Sequence, residues 1–138
     1  MRNELKELAE ALNEHQSFLL VSHIDPDGDA IGSLIALRTL LERKGKKAVA
    51  YDQDGVPEIY RFLEGSTTIQ DRISGAEKFD AVVFVECPNV ERAGEKCSRI
   101  IAAVPFWINI DHHLDNSRFG RLNIVDSGLS AIGELIYE

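Results

Sequence analysis

Two stretches of this sequence, Phe18-Leu19-Leu20-Val21 and Ala81-Val82-Val83-Phe84-Val85, are short and apolar at every position. A strand with one wet face alternates polar and apolar residues, whereas a strand with no polar position has both faces covered. Amphipathic stretches separate such runs, so strand and helix alternate along the chain. That order predicts an α/β fold, a doubly wound and mainly parallel five-stranded sheet with helices on both faces. The 138 residues suit one domain. A chain of this size buries roughly two-thirds of its unfolded surface.

The other elements follow from periodicity and turn chemistry. Residues 2 to 16 place Leu5, Leu8, Ala9 and Leu12 on one helical face. Ala30 to Lys44 is a second helix, with Ile31, Leu34, Ile35, Leu37, Leu40 and Leu41 apolar and Gly45 placed to cap it. Lys47 to Tyr51, Phe106 to Ile110 and Leu122 to Val125 complete the five strands. Glu58 to Leu63, opened by Pro57, and Glu95 to Ala103 read as short helices, and Glu64 to Lys78 as mostly irregular. Ser127 or Ser130 is placed to cap a helix running to the last residue.

Composition narrows the class of function. With 44% hydrophobic and 28% charged residues the chain is not of the disordered type. No apolar run approaches the roughly 18 residues of a membrane span. The charged N-terminal stretch is not a signal peptide, and the two cysteines, Cys87 and Cys97, read as reduced thiols, so a cytoplasmic location is expected. The net charge of −8 argues against a general nucleic-acid coat, which needs Lys and Arg. It does not oppose nucleotide chemistry, because bound metal ions reverse the sign of an acidic pocket.

Three strands end in potential ligands. His23-Ile24-Asp25-Pro26-Asp27-Gly28-Asp29 follows the first, Glu86 the third, and Asp111-His112-His113 the fourth. Successive parallel strands share one carboxyl edge, where open α/β sheets bind ligands. Imidazoles mixed with carboxylates suit Mn²⁺, Fe²⁺ or Zn²⁺ better than Ca²⁺, and the EF-hand spacing is missing. Taken singly, the first cluster also reads as an acidic turn capping the helix after it, and Glu86 as an exposed strand-end acid. Arg92 is within chain reach of a phosphate at this edge, and Asn116 lies in the loop after the histidines. Gly28 and Gly32 do not have dinucleotide-fingerprint spacing.

The stretch from His23 through Asp29 to Gly32 and Ser33, with Asp111-His112-His113, resembles the DHH phosphoesterase superfamily over almost the whole chain. The spacing is most similar to the oligoribonuclease (nanoRNase) and phosphoadenosine-phosphate phosphatase branch. The resemblance implies phosphoester hydrolysis at two Mn²⁺ ions, or Mg²⁺ or another divalent ion in their place. It implies His23 and Asp27 on one ion, Asp29 and His112 on the other, and Glu86 at the bridging position. His113 would face the substrate phosphate as a catalytic and binding group, assisted by Arg92 and Asn116. Asp25 and Asp111 would be auxiliary catalytic groups behind the ligands. The implied partner is a short single-stranded oligonucleotide or a nucleotide phosphate, with a homodimer as a possible assembly.

Two departures from the family pattern stand out. The bridging residue is usually Asp, and Glu86 carries one more methylene. The Asp of a fourth motif and a C-terminal substrate-binding domain are not found. Residues 1–138 are therefore expected to be a truncated DHH-type catalytic domain. The alternative expectation is a metal- or nucleotide-binding module without turnover. A receiver-like signalling domain fits less well, since its acidic pocket has no use for paired imidazoles.

Overall fold

The computed structural model describes residues 1–138 and contains one five-stranded sheet in the order β2-β1-β3-β4-β5, with every pairing parallel. The strands are β1 (Ser17–Val21), β2 (Lys47–Tyr51), β3 (Ala81–Val85), β4 (Phe106–Asp111) and β5 (Leu122–Val125). The helices are α1 (Arg2–Glu14), α2 (Gly28–Arg43), α3 (Ser98–Ala103) and α4 (Ile132–Tyr137). No helix is long and apolar enough to cross a membrane.

The period of two along each strand splits the apolar runs between two cores. Phe18, Leu20, Val83 and Val85 face α1, α2 and α4, where Leu8, Leu12, Ile31, Leu34, Leu37, Ile132 and Leu135 meet them. Leu19, Val21, Val82 and Phe84 face the opposite layer with Cys87, Cys97 and Ile101. All five side chains of β3 are buried, as its unbroken apolar run requires. The cysteines are free and buried, and act as small apolar residues of the second core.

Several boundaries moved. α1 ends at Glu14, and Ala11 rather than Ala9 completes its buried face. α2 begins two residues before Ala30, because the Asp27 side chain accepts the Ala30 amide at 2.9 Å and starts the helix there. Gly45, at φ +74°, ends α2 as expected, with amide bonds from Gly45 to Glu42 O and Lys46 to Leu41 O. The helix expected over Glu58 to Leu63 is one 3-10 turn, Glu58–Tyr60. That expected over Glu95 to Ala103 is shortened to α3, Ser98–Ala103, with a separate 3-10 turn, Val90–Ala93, before it. Neither Ser127 nor Ser130 caps α4. Its N-cap is Ala131, and its first amides bond a carboxylate from the far end of the chain, Asp29.

The strand order reverses direction between β1 and β3, since β2 lies on one side of β1 and β3 to β5 on the other. That crevice is where a doubly wound sheet receives its ligand. A buried acid braces its β2 side. Asp52, fully buried, accepts a hydrogen bond from the Ser22 hydroxyl and another from the Asp54 amide at 2.9 Å. Asp54 in turn accepts the Asp25 amide at 2.7 Å and holds that residue at φ 54°. A non-glycine residue at positive φ costs on the order of 1–3 kcal/mol, so the β1–α2 loop needs such a brace.

Two outcomes follow for stability. Leu20→Ala, in the central strand, should cost about 2–5 kcal/mol in urea unfolding, while Leu114→Ala, at an exposed site, should stay within about 0.5 kcal/mol. Equal losses would mean that the β1 core is misplaced. Burial raises the Asp52 pKa from 3.8 to about 6, against the Ser22 and Asp54 hydrogen bonds. The native state therefore holds a proton that the unfolded state releases, and stability falls as pH rises between about 4 and 6. Asp52→Asn should remove that slope and gain up to about 3 kcal/mol relative to the parent above pH 6. Parallel stability curves for the two proteins would show that Asp52 ionises freely.

Candidate metal centre

His23 is the second residue after β1. Its Nδ1 lies 2.7 Å from the Ile24 carbonyl, and a carbonyl can only accept, so Nδ1 carries the proton. The other nitrogen, Nε2, is then free to be a ligand, and it sits 3.6 Å from Glu86 Oε2. The His112 ring is held in the same way. Its Nδ1 donates to Leu129 O at 2.9 Å, and its Nε2 lies 3.3 Å from Glu86 Oε1. Each histidine is thus fixed by a carbonyl in the tautomer a metal needs.

Glu86 stands between them, on average 3% exposed. It leaves β3 at φ 56°, and its amide bonds Ile110 O at 2.9 Å, one step beyond the β3–β4 pairing. The Cys87 carbonyl next to it accepts from Asn109 Nδ2 and Asn116 Nδ2. This strained corner turns the carboxylate into the crevice. Oε2 of Glu86 is buried without a hydrogen-bond donor. A buried carboxylate oxygen without a partner is costly, and a cation at this position removes the cost.

The ligand atoms form two groups that share Glu86. His23, Asp27 and Glu86 lie within 4.8 Å of one another, and so do Glu86, His112 and His113. The electrostatics match a cation site. The Glu86 carboxylate, opposed by burial, raises the His23 pKa to about 9. Burial raises the Glu86 pKa, with His23 working against it. At Asp27 burial is outweighed by the Ala30 amide and by Glu86, and the pKa falls. At His112 burial is outweighed by Leu129 O and Glu86, and the pKa rises. These groups, which concentrate carboxylates around imidazoles, fit divalent cations.

The structure brings His23, Asp27, Glu86, His112 and His113 together, and places Asp29 at their edge. Asp29 Oδ2 is 3.8 Å from His112 Nε2, and the tighter group around His112 contains His113 instead. Both Asp29 oxygens accept α4 amides, Oδ2 from Ile132 at 2.7 Å and Oδ1 from Gly133 at 3.1 Å. Asp111 ends β4 and is fully buried, accepting from His113 Nδ1 at 2.7 Å and Asn116 Nδ2 at 2.5 Å. It orients His113 and does not join either ligand group. Asn116 spends its amide on Cys87 O, Asn109 Oδ1 and Asp111 Oδ2, and its carbonyl on the Arg118 amide. Asp25 is exposed and outside both groups. Arg92 is exposed, and its backbone carbonyl anchors the β1–α2 loop by accepting from Ile24 at 2.7 Å.

Four contributors escaped the sequence reading. Asp52 and Asp54 carried a usable signal, acids directly after the β2 run, the same signal that marked Glu86. The Leu129 carbonyl and the α4 amides carried none, because backbone groups are alike at every position.

Known proteins resemble this chain in sequence and in fold. A bifunctional oligoribonuclease and PAP phosphatase NrnA from Thermus thermophilus is 33% identical over 120 residues, which is 85% of this chain and 34% of the relative. The Bacillus subtilis protein of the same name is 24% identical over 96% of this chain and 40% of its own length. The crystal structure of an exopolyphosphatase-related protein from Bacteroides fragilis superposes with a TM-score of 0.88 at 27% identity, over 99% of this chain and 42% of that one. The chain therefore spans about two-fifths or less of each of these relatives. The DHH family N-terminal domain matches residues 17–138, and the chain belongs to the DHH family.

Proposed function

We propose that this domain hydrolyses phosphoester bonds of short oligonucleotides or nucleotide phosphates at a pair of divalent ions, Mn²⁺ above all. The observation that carries the reading is Glu86, whose two oxygens face different histidines, His23 at 3.6 Å and His112 at 3.3 Å. One carboxylate presented to two ligand groups is the arrangement a metal pair needs. His23 and Asp27 would hold one ion with Glu86. His112 and Asp29 would hold the other with Glu86. Bound there, the ions supply Lewis-acid polarisation of the phosphoryl group and charge neutralisation.

The chain's own residues do the rest. His113 is the most exposed of the site's imidazoles, with its side chain 38% exposed. Asp111 fixes it through Nδ1, leaving Nε2 to meet a phosphate oxygen or to move a proton. The pairing of a buried carboxylate with an imidazole keeps that ring in one tautomer. Asp27 serves two purposes, capping α2 and offering its carboxylate to the first ligand group. The names of the NrnA relatives support the substrate class, since they pair oligoribonuclease with PAP phosphatase activity.

The test is hydrolysis of a short RNA oligonucleotide and of a nucleoside bisphosphate with added Mn²⁺. Glu86→Gln and His113→Ala should each lower turnover by about 100-fold or more, in line with loss of a metal bridge or of a general acid–base group. Excess chelator should abolish turnover in the parent. Full hydrolysis in chelator, or an unchanged Glu86→Gln rate, would refute the reading. Tight Mn²⁺ binding with neither substrate cleaved would replace it with a binding module.

A further inference from the structure

The segment Leu129 to Gly133 touches both residues assigned to the second ion. Leu129 O accepts from His112 Nδ1 at 2.9 Å. Three residues on, the Ile132 and Gly133 amides donate to Asp29 at 2.7 and 3.1 Å. Ser33 Oγ adds a longer bond to Asp29 Oδ1 at 3.2 Å. No comparable clamp acts on the first ligand group. His23 is held by its own neighbour Ile24, and Asp27 by Ala30 three residues away.

Resting on the metal-pair reading above, we propose that Leu129–Gly133 is a positioning segment for the second ion. It fixes the His112 tautomer through one carbonyl and the Asp29 carboxylate through two amides. A carboxylate oxygen has two lone pairs, so Asp29 Oδ2 can accept the Ile132 amide with one and face His112 Nε2, 3.8 Å away, with the other. The Ile132 and Gly133 amides find no acceptor in the preceding turn, as the N-cap is Ala131 and makes no side-chain bond. Asp29 is what they have. The two functions are therefore linked. Whatever holds Asp29 toward α4 also holds it for the ion, and an ion that fixes Asp29 must tighten α4.

One substitution separates the amide from the side chain. Proline at the first helical position keeps a helix start but removes the N–H. Ala131 before it is extended, at φ −153° and ψ 147°, which a following proline accepts. Ile132→Pro therefore deletes the donor and sets the ring Cδ against the Asp29 carboxylate, which must shift, while Ile132→Val trims similar apolar volume and keeps that donor.

The experiment is Mn²⁺ calorimetry on the parent, Ile132→Val and Ile132→Pro. The parent and Ile132→Val should bind two ions. Ile132→Pro should keep one site at the parent's affinity and lose about tenfold or more at the other, the usual cost of removing a partner behind a metal ligand. Equal affinities at both sites in the valine and proline variants would overturn the positioning role and leave the metal pair intact. A parent that binds only one ion would overturn both. Should Ile132→Pro fail to fold, amide exchange in the parent decides. Exchange at Ile132 and Gly133 should slow several-fold on Mn²⁺ loading, and exchange that stays the same or accelerates would refute the coupling.

Discussion

A carboxylate with almost no access to water, set between two imidazoles at the point where the strand order reverses, is the constraint the rest of this structure serves. Glu86 lies where β1, β3 and β4 end together, and its Oε2 has no donor within the fold. Burying such a group is unfavourable unless a positive charge comes to it. The Nε2 atoms of His23 and His112 face it from either side, 3.6 and 3.3 Å away. The Asp52 brace, the positive-φ residues Asp25 and Glu86, and the pinned Cys87 carbonyl all keep this corner from relaxing.

The extra methylene of Glu86 raised a question that the geometry answers. A longer arm could have carried the carboxylate beyond one of the histidines. Instead, the distances to His23 and His112 differ by only a few tenths of an ångström, 3.6 against 3.3 Å. The corner at φ 56° is part of that accommodation, since it sets the direction in which the arm leaves the strand. The departure from Asp thus changes the arm, and the carboxylate still faces both ligand groups.

Much of this was legible in the residues. The unbroken run Ala81–Val85 pointed to a strand buried on both faces because a strand between two helical layers covers every one of its side chains. The clusters after Val21, Val85 and Ile110 converged because parallel strands end on one edge. What stayed hidden has a common physical origin in backbone partners and long sequence separation. Nothing in Ala131-Ile132-Gly133 shows that its helix is capped by a residue 103 positions earlier. The serines at 127 and 130 looked like caps because a local hydroxyl is the ordinary solution. The short helix expected at Glu58 to Leu63 shrank to one 3-10 turn, leaving Ile59 and Phe62 exposed. Tyr60 and Leu63 pack against the core while Ile59 and Phe62 find no partner surface, and propensity alone does not sustain a helix that short.

The two ligand groups differ in what holds them, and that difference orders their robustness. His23 and Asp27 are fixed by bonds spanning one and three residues, within a loop already anchored to Asp54 and Arg92. His112 and Asp29 depend on bonds spanning 17, 103 and 104 residues, to the Leu129 carbonyl and to the first two amides of α4. A shift of the Leu129–Gly133 segment would therefore free Asp29 and the Nδ1 of His112 together, while the His23 group keeps its shape. The asymmetry does not require different ligand chemistry at the two positions. It arises because one half of the site is built by a local turn and the other by tertiary packing, with Glu86 shared between them.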